Sequence, residues 1–202
     1  MTTPLSGDGS VDPSRRIGST RKATSDRQTL AALVVALEQA GSTEEPNEDV
    51  AGLTILHHGL QCAALLAASD PDDLELQVAG LLHDVGHVLR PGADDVHGAV
   101  GAEAVRPVLG DRVADLIDGH VPAKRYLVTV DDAYRAELSE GSLRTLAVQG
   151  EAMSDAEMAA FAGAAHFDAV VRLRRADEAA KDPAAVVPPL EHWLPTLSLL
   201  AG

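Results

Sequence analysis

Histidine and aspartate carry the chemistry that can be read directly from this chain. Six of its eight histidines fall between positions 57 and 120: His57, His58, His83, His87, His97 and His120. Their centre is the run Leu81-Leu82-His83-Asp84-Val85-Gly86-His87, where an imidazole and a carboxylate stand side by side in an apolar stretch. Two ionisable groups on a buried face need partners, and a metal ion satisfies both at once. A hydrogen-bonded core network is the plainer reading of any single histidine here. A His-Asp pair joined by further histidines at separated positions favours metal. His87 follows His83 by one helical turn, which predicts that both rings share a face. His57 and His58 point about 100° apart on a helix, so only one is expected to ligate, and Gln61 three residues on favours His58. Imidazoles and carboxylates without thiolate suit borderline metals such as iron, manganese, cobalt or zinc.

These side chains must be held by helices. Aromatic residues make up only 2% of the chain, against 46% hydrophobic, so the core is built of Leu, Val and Ala and an all-α domain is expected. Residues 1–25 lack a hydrophobic period and read as a disordered tail; residues 26–202 form the domain. Leu30, Leu33, Val34 and Leu37 share one helical face, and Gly41 stops the run. Residues 44–49 read as an acidic loop. A second helix spans about 50–68. Asp70-Pro71 reads as the cap and first residue of a third, running through Val88 and ended by Pro91-Gly92. Further helices are predicted near 97–109, 111–119, 131–137, 139–149, 154–162, 164–181 and within 189–200. Residues 126–130 are the one stretch compatible with a strand. Trp193, Leu194, Leu197 and Leu200 read as a packing face.

Charge narrows the partners. Sixteen basic against 31 acidic residues leave a net charge of −15, which repels nucleic acid and anionic membranes. An anionic substrate must therefore meet a local basic pocket. Cys62 is the single cysteine, which excludes an internal disulfide and a thiolate zinc module and reads as a small core residue. No apolar run reaches membrane-spanning length and no apolar signal core opens the chain, so a cytoplasmic protein is expected. An oligomeric state is not legible.

His58, His83-Asp84 and Asp177 resemble the ordered signature of the HD-domain metalloproteins, and His97 and His120 resemble the two extra ligands of their dinuclear members. The resemblance extends through His58-Gly59-Leu60-Gln61, residues 81–87, His97 with Gly101-Ala102, residues 120–127, residues 138–142 and residues 172–181. Together these are similar to the mixed-valent diiron HD-domain oxygenases that cleave carbon–phosphorus bonds, typified by 2-amino-1-hydroxyethylphosphonate dioxygenase. The resemblance implies an HD-domain helical bundle with two iron ions, Fe(II)/Fe(III). One would be held by His58, His83, Asp84 and Asp177. The other would be held by Asp84, His97 and His120, with Asp84 bridging. It assigns Lys124, Ser142 and Arg174 to the phosphonate group and His87 to the substrate near the reacting carbon, with His87 and Lys124 in the catalytic machinery. Spacing agrees for the cations: Lys124 follows His120 by four residues and Arg174 precedes Asp177 by three. Arg172 and Arg175 read as surface cations or salt-bridge partners.

The implied reaction takes a 1-hydroxyphosphonate and O2 to a carboxylic acid and inorganic phosphate. Members acting on the amino substrate carry an acidic and an aromatic residue where this chain has Ala51 and Glu48, and commonly Gln where it has Ile55. The substituent on C1 therefore stays open. The rival enzyme reading is an HD-type metal-dependent phosphohydrolase acting on a nucleotide or phosphate monoester, in which a metal-bound water attacks phosphorus. A non-catalytic metal-binding module is the third reading, disfavoured because all six ligand positions are filled.

Overall fold

The structure, a computed structural model, describes residues 29–46 and 50–202; the expected tail lies outside them. Helices supply all the regular secondary structure among the described residues, as the composition requires. In chain order they are α1 (29–40), α2 (Ile55–Ser69), α3 (Leu74–Leu82), α4 (Val85–Leu89), α5 (His97–Val130), α6 (Asp132–Glu137), α7 (Glu140–Val148), α8 (Asp155–Ala162), α9 (Phe167–Ala179) and α10 (Leu190–Leu200). The centre is a bundle of α2, α3, α5 and α9, with α4 laid across α5 and α10 closing the side of α3 and α5.

Aliphatic packing holds this bundle. Leu66 on α2, Leu76 and Leu82 on α3, Leu116 and Ile117 on α5 and Leu173 on α9 are all fully buried. Each such side chain contributes about 1.5–3 kcal/mol, and these four helices carry most of the candidate site. Cys62 lies in the same core, as expected of a small buried residue. Trp193 and Leu197 bury the inner face of α10.

Three local expectations are corrected by the structure. Asp70-Pro71 does not open α3: Gln77 Nε2 donates to both their carbonyls, and Asp73 caps the helix by accepting from Leu76 N–H. The helix expected to run on through Val88 breaks at the His-Asp pair, where Asp84 leaves helical geometry at φ −100°, ψ 7°. Residues 126–130 are helical, because Ala123, Leu127 and Val128 extend the buried stripe of α5 past Pro122. The expected break between 109 and 111 does occur. Gly110 adopts φ 87°, ψ 175°, a region open to glycine but not to other residues.

Candidate metal and anion site

The break at Asp84 builds the centre of the site. It lets a short α4 turn back onto the start of α5, and this approach depends on Gly86: a Cβ there would lie 2.0 Å from the His97 carbonyl oxygen. Asp84 is thereby carried between two pairs of histidines. Its Oδ2 faces His83 Nε2 at 3.1 Å and His58 Nε2 at 3.4 Å. Its Oδ1 faces His97 Nε2 at 3.3 Å and His120 Nε2 at 3.7 Å. Asp177, from the last turn of α9, places Oδ1 3.2 Å from His58 Nε2 and 3.7 Å from His83 Nε2. Two clusters with converging donor atoms result: His58, His83 and Asp177, and beside them Asp84, His97 and His120. All six residues are buried.

The imidazoles are aimed by the backbone. Nδ1 of His83, His97 and His120 each meets the carbonyl three residues earlier, at 2.8, 2.7 and 2.5 Å. His58 Nδ1 meets the Ala180 carbonyl at 2.8 Å, across the bundle at the end of α9. An Nδ1–H donated to a carbonyl leaves the Nε2 lone pair pointing inward. Yet His58 and His83 bring Nε2 to Nε2 at 3.1 Å, and His97 and His120 at 2.8 Å. Facing lone pairs at that separation require positive charge between them. Burial alone would raise the carboxyls of Asp84 and Asp177. The surrounding imidazoles, and for Asp177 chiefly the Arg174 guanidinium, overcome this and hold both well below the usual carboxylate range. Burial alone would also keep His58 and His83 neutral, but the same two carboxylates draw protons onto them. Two cations at this place satisfy the carboxylates without those protons, so the donor set fits a pair of metal ions.

His87 departs from expectation. Because the helix breaks, its ring does not lie beside that of His83. It stacks on His97 with centroids 4.1 Å apart. Nε2 lies 4.0 Å from Asp84 Oδ1, and Nδ1 lies 3.3 Å from the Asp94 carboxylate. Burial foremost, with His97, pushes its pKa down to about 4, so it is neutral at physiological pH. His57 points away from the cluster and meets the Ala185 carbonyl.

A polar cavity of about 30 Å³ opens beside these clusters, and Lys124, Ser142 and Arg174 all line it. Lys124 is buried and donates to Thr145 Oγ1 at 2.5 Å and Gln149 Oε1 at 3.2 Å. Burial first, then Arg174, pushes its ammonium down to about 7. Arg174 donates from Nε to the Tyr134 hydroxyl at 2.6 Å and from Nη1 and Nη2 to Asp177 and Glu178. Glu178 also accepts from Ser142 Oγ, Ser139 N–H and Lys181. The guanidinium is thus clamped on three sides. Arg172 and Arg175 stay outside, paired with Asp70 and Asp131.

Sequence reasoning missed four residues here. Thr145 and Gln149 line the same cavity, and Ser142 and Thr145 on α7 with Gln149 at its C-cap follow a spacing of three and seven that could have flagged them. Tyr134 carried no signal beyond being one of five aromatics. Glu45 sits in the segment read as an acidic loop, yet it is 6% exposed and lines the cavity.

Comparison with known proteins now gives this geometry a family. Residues 55–149 match the HD domain. A hydroxymethylphosphonate dioxygenase of Gimesia maris is 39% identical over 150 residues, covering 70% of this chain and 74% of the relative. A [1-hydroxy-2-(trimethylamino)ethyl]phosphonate dioxygenase (glycine-betaine-forming) of Leisingera caerulea is 31% identical over 166 residues, covering 78% and 83%. Uncharacterized protein L432 of Acanthamoeba polyphaga mimivirus is 31% identical over 176 residues, covering 82% and 78%. The chain belongs to the HD-domain family and has relatives named as phosphonate dioxygenases. No helix among the described residues is long and apolar enough to cross a membrane.

Proposed function

We propose that this HD-domain protein is a diiron oxygenase that cleaves the C–P bond of a 1-hydroxyphosphonate, with hydroxymethylphosphonate as its substrate. One observation carries the reading: the cavity that touches both imidazole–carboxylate clusters is also lined by Lys124, Arg174 and the hydroxyls of Ser142 and Thr145. A dianion receptor built against a dimetal ligand set matches a phosphonate whose reacting carbon lies one bond from phosphorus. The names of the Gimesia and Leisingera relatives support the same reaction class. Among the described residues, none that lines the cavity is Phe, Tyr or Trp. A trimethylammonium group prefers aromatic faces, so the unsubstituted hydroxymethyl compound is the better fit.

In this reading His58, His83, Asp84 and Asp177 hold one iron and Asp84, His97 and His120 the other, Fe(II) and Fe(III). Bound iron would supply Lewis acidity and the one-electron redox steps that pass substrate electrons to O2. The protein's own groups do the rest. Lys124 and Arg174 neutralise the phosphonate, Arg174 through the N–H groups of its fork that its protein partners leave over. Tyr134 and Glu178 fix that fork. His87 keeps a neutral imidazole edge toward the metal side, where the reacting carbon would lie. The small cavity leaves little room for water. Overall the C–P bond breaks, C1 is oxidised to carboxylate, and O2 supplies the oxygen atom gained by each product.

The test is iron-loaded protein with hydroxymethylphosphonate, with and without air. Formate and phosphate in equal amounts, formed only with O2, are expected. No phosphate release in air from this compound or other 1-hydroxyphosphonates overturns the reading. Anaerobic phosphate release from a nucleotide or phosphate monoester would put a phosphohydrolase in its place.

A further inference from the structure

Glu45 is a buried carboxylate that the reaction described above does not use. It sits in the turn between α1 and α2, where the backbone is clasped to the approach to α2. Glu45 N–H donates to the Leu53 carbonyl and Ile55 N–H to the Thr43 carbonyl, both at 2.9 Å, around a bridge between Glu44 and Thr54. Within 41–46 it is the buried position, while its neighbours are exposed. Among the described residues its Oε2 has no hydrogen-bond partner. A buried acceptor without a donor is costly, and here it faces the cavity. Burial, with Asp84 the next contributor, raises the carboxyl to about 7.

What lies on the other side of this segment gives the residue its role. A second cavity of about 330 Å³ is lined by Thr43, Pro46, Ile55, His87, Val88 and Pro91, among others. Thr43 and Pro46 flank Glu45 in sequence, and His87 reaches from this larger space toward Asp84. Glu45 thus lines the tight polar pocket, while Thr43 and Pro46 beside it in the chain, together with His87, line the roomier, more apolar one.

We propose that Glu45 is a specificity-determining residue: its side chain is the wall that keeps the substituent on C1 out of the larger cavity, restricting the site to a phosphonate with no carbon attached at C1. The proposal rests on the phosphonate reading above and adds the group that sets substrate size. A substrate with a methyl group on C1 would have to displace the carboxylate or lie against it unpaired. Removing the side chain joins the two spaces and admits the larger substrate. Exchanging its charge for an amide keeps the wall.

The experiment compares binding of methylphosphonate and ethylphosphonate, which differ by one methyl on C1, to metal-loaded wild type, Glu45→Ala and Glu45→Gln by titration calorimetry. Wild type is expected to favour methylphosphonate by at least about tenfold, the lower end of discrimination by one methylene. Glu45→Ala is expected to narrow the gap to less than about threefold, and Glu45→Gln to keep it. Glu45→Ser replaces the alanine variant if that variant does not load metal. An equal loss of affinity for both ligands in the shortened variant, or a wild type that does not discriminate, overturns the wall. Turnover of hydroxymethylphosphonate and 1-hydroxyethylphosphonate is measured alongside. A wild type that discriminates in binding yet releases no phosphate sinks the oxygenase reading and leaves the wall standing.

Discussion

Lys124→Met exposes a conflict between stability and anion binding that the structure makes quantitative. The residue is 4% exposed, and its ammonium is depressed from its ordinary 10.5 to about 7, by burial first and Arg174 second. That fall corresponds to about 5 kcal/mol opposing the charged form at low pH. Methionine matches the length of the side chain without its charge but gives up the hydrogen bonds to Thr145 and Gln149. A net stabilisation of about 1–3 kcal/mol at pH 6 is therefore expected, seen as a rise of roughly 3 to 8 °C in melting temperature. The pH dependence has a definite sign. Because the folded pKa lies below the unfolded one, the folded chain holds fewer protons between about 7 and 10.5, and wild-type stability climbs across that window. The advantage of the variant is thus full below pH 7 and shrinks above it. Binding moves the opposite way. Loss of one charged hydrogen bond weakens a dianion by about 10- to 150-fold. Sulfate, dianionic throughout this range, is a suitable probe by calorimetry on metal-loaded protein. Its affinity should fall between pH 6 and pH 9 in wild type and change far less in the variant. Unchanged sulfate affinity together with an equal or lower melting temperature at pH 6 would refute the reasoning.

Three further perturbations test other parts of the site. Asp84→Ala removes the carboxylate that faces both histidine pairs; metal analysis should give fewer than one ion per chain, and two retained ions would remove it from the bridging position. Gly86→Ala forces a Cβ to within 2.0 Å of the His97 carbonyl oxygen, and should cost at least about 3 kcal/mol in urea unfolding; a loss below about 1 kcal/mol would show that α4 can move away freely. Tyr134→Phe deletes the acceptor for Arg174 Nε and should raise KM for the phosphonate about tenfold with a smaller change in kcat; a fall in kcat alone would place the tyrosine elsewhere in the reaction.

What the sequence reveals of this site depends on how local each signal is. Adjacent His83 and Asp84 in an apolar run, and Arg174 one turn before Asp177, mark themselves by chemistry within a few residues, and the structure gathers all six imidazole and carboxylate groups. The helix ends follow the same logic: Gly110 breaks α5 because its φ is positive. Where tertiary contacts decide, periodicity misleads. The apolar run through residues 81–88 looks like one helix, yet it bends at Asp84 so that α4 can meet α5. The segment 126–130 looks extended by its residue types, yet the buried stripe of α5 keeps it helical. Glu45 is the clearest case. An acidic turn is ordinarily solvated, and only the clasp to Leu53 and Thr54, set by the path of the chain into α2, turns this one carboxylate inward.

The carbonyls behind the four inward-facing imidazoles have a consequence for how this centre fails. Side-chain supports can be lost one mutation at a time, but a peptide oxygen cannot be deleted by any substitution. Three of these carbonyls sit a single turn before the ring they orient, and the fourth closes the end of α9 against α2. Ring orientation is therefore only as durable as these backbone turns and the α2–α9 contact. Gentle heating or denaturant should leave the centre intact until those turns melt, and then abolish it in one step, with metal release and loss of helicity sharing a single midpoint.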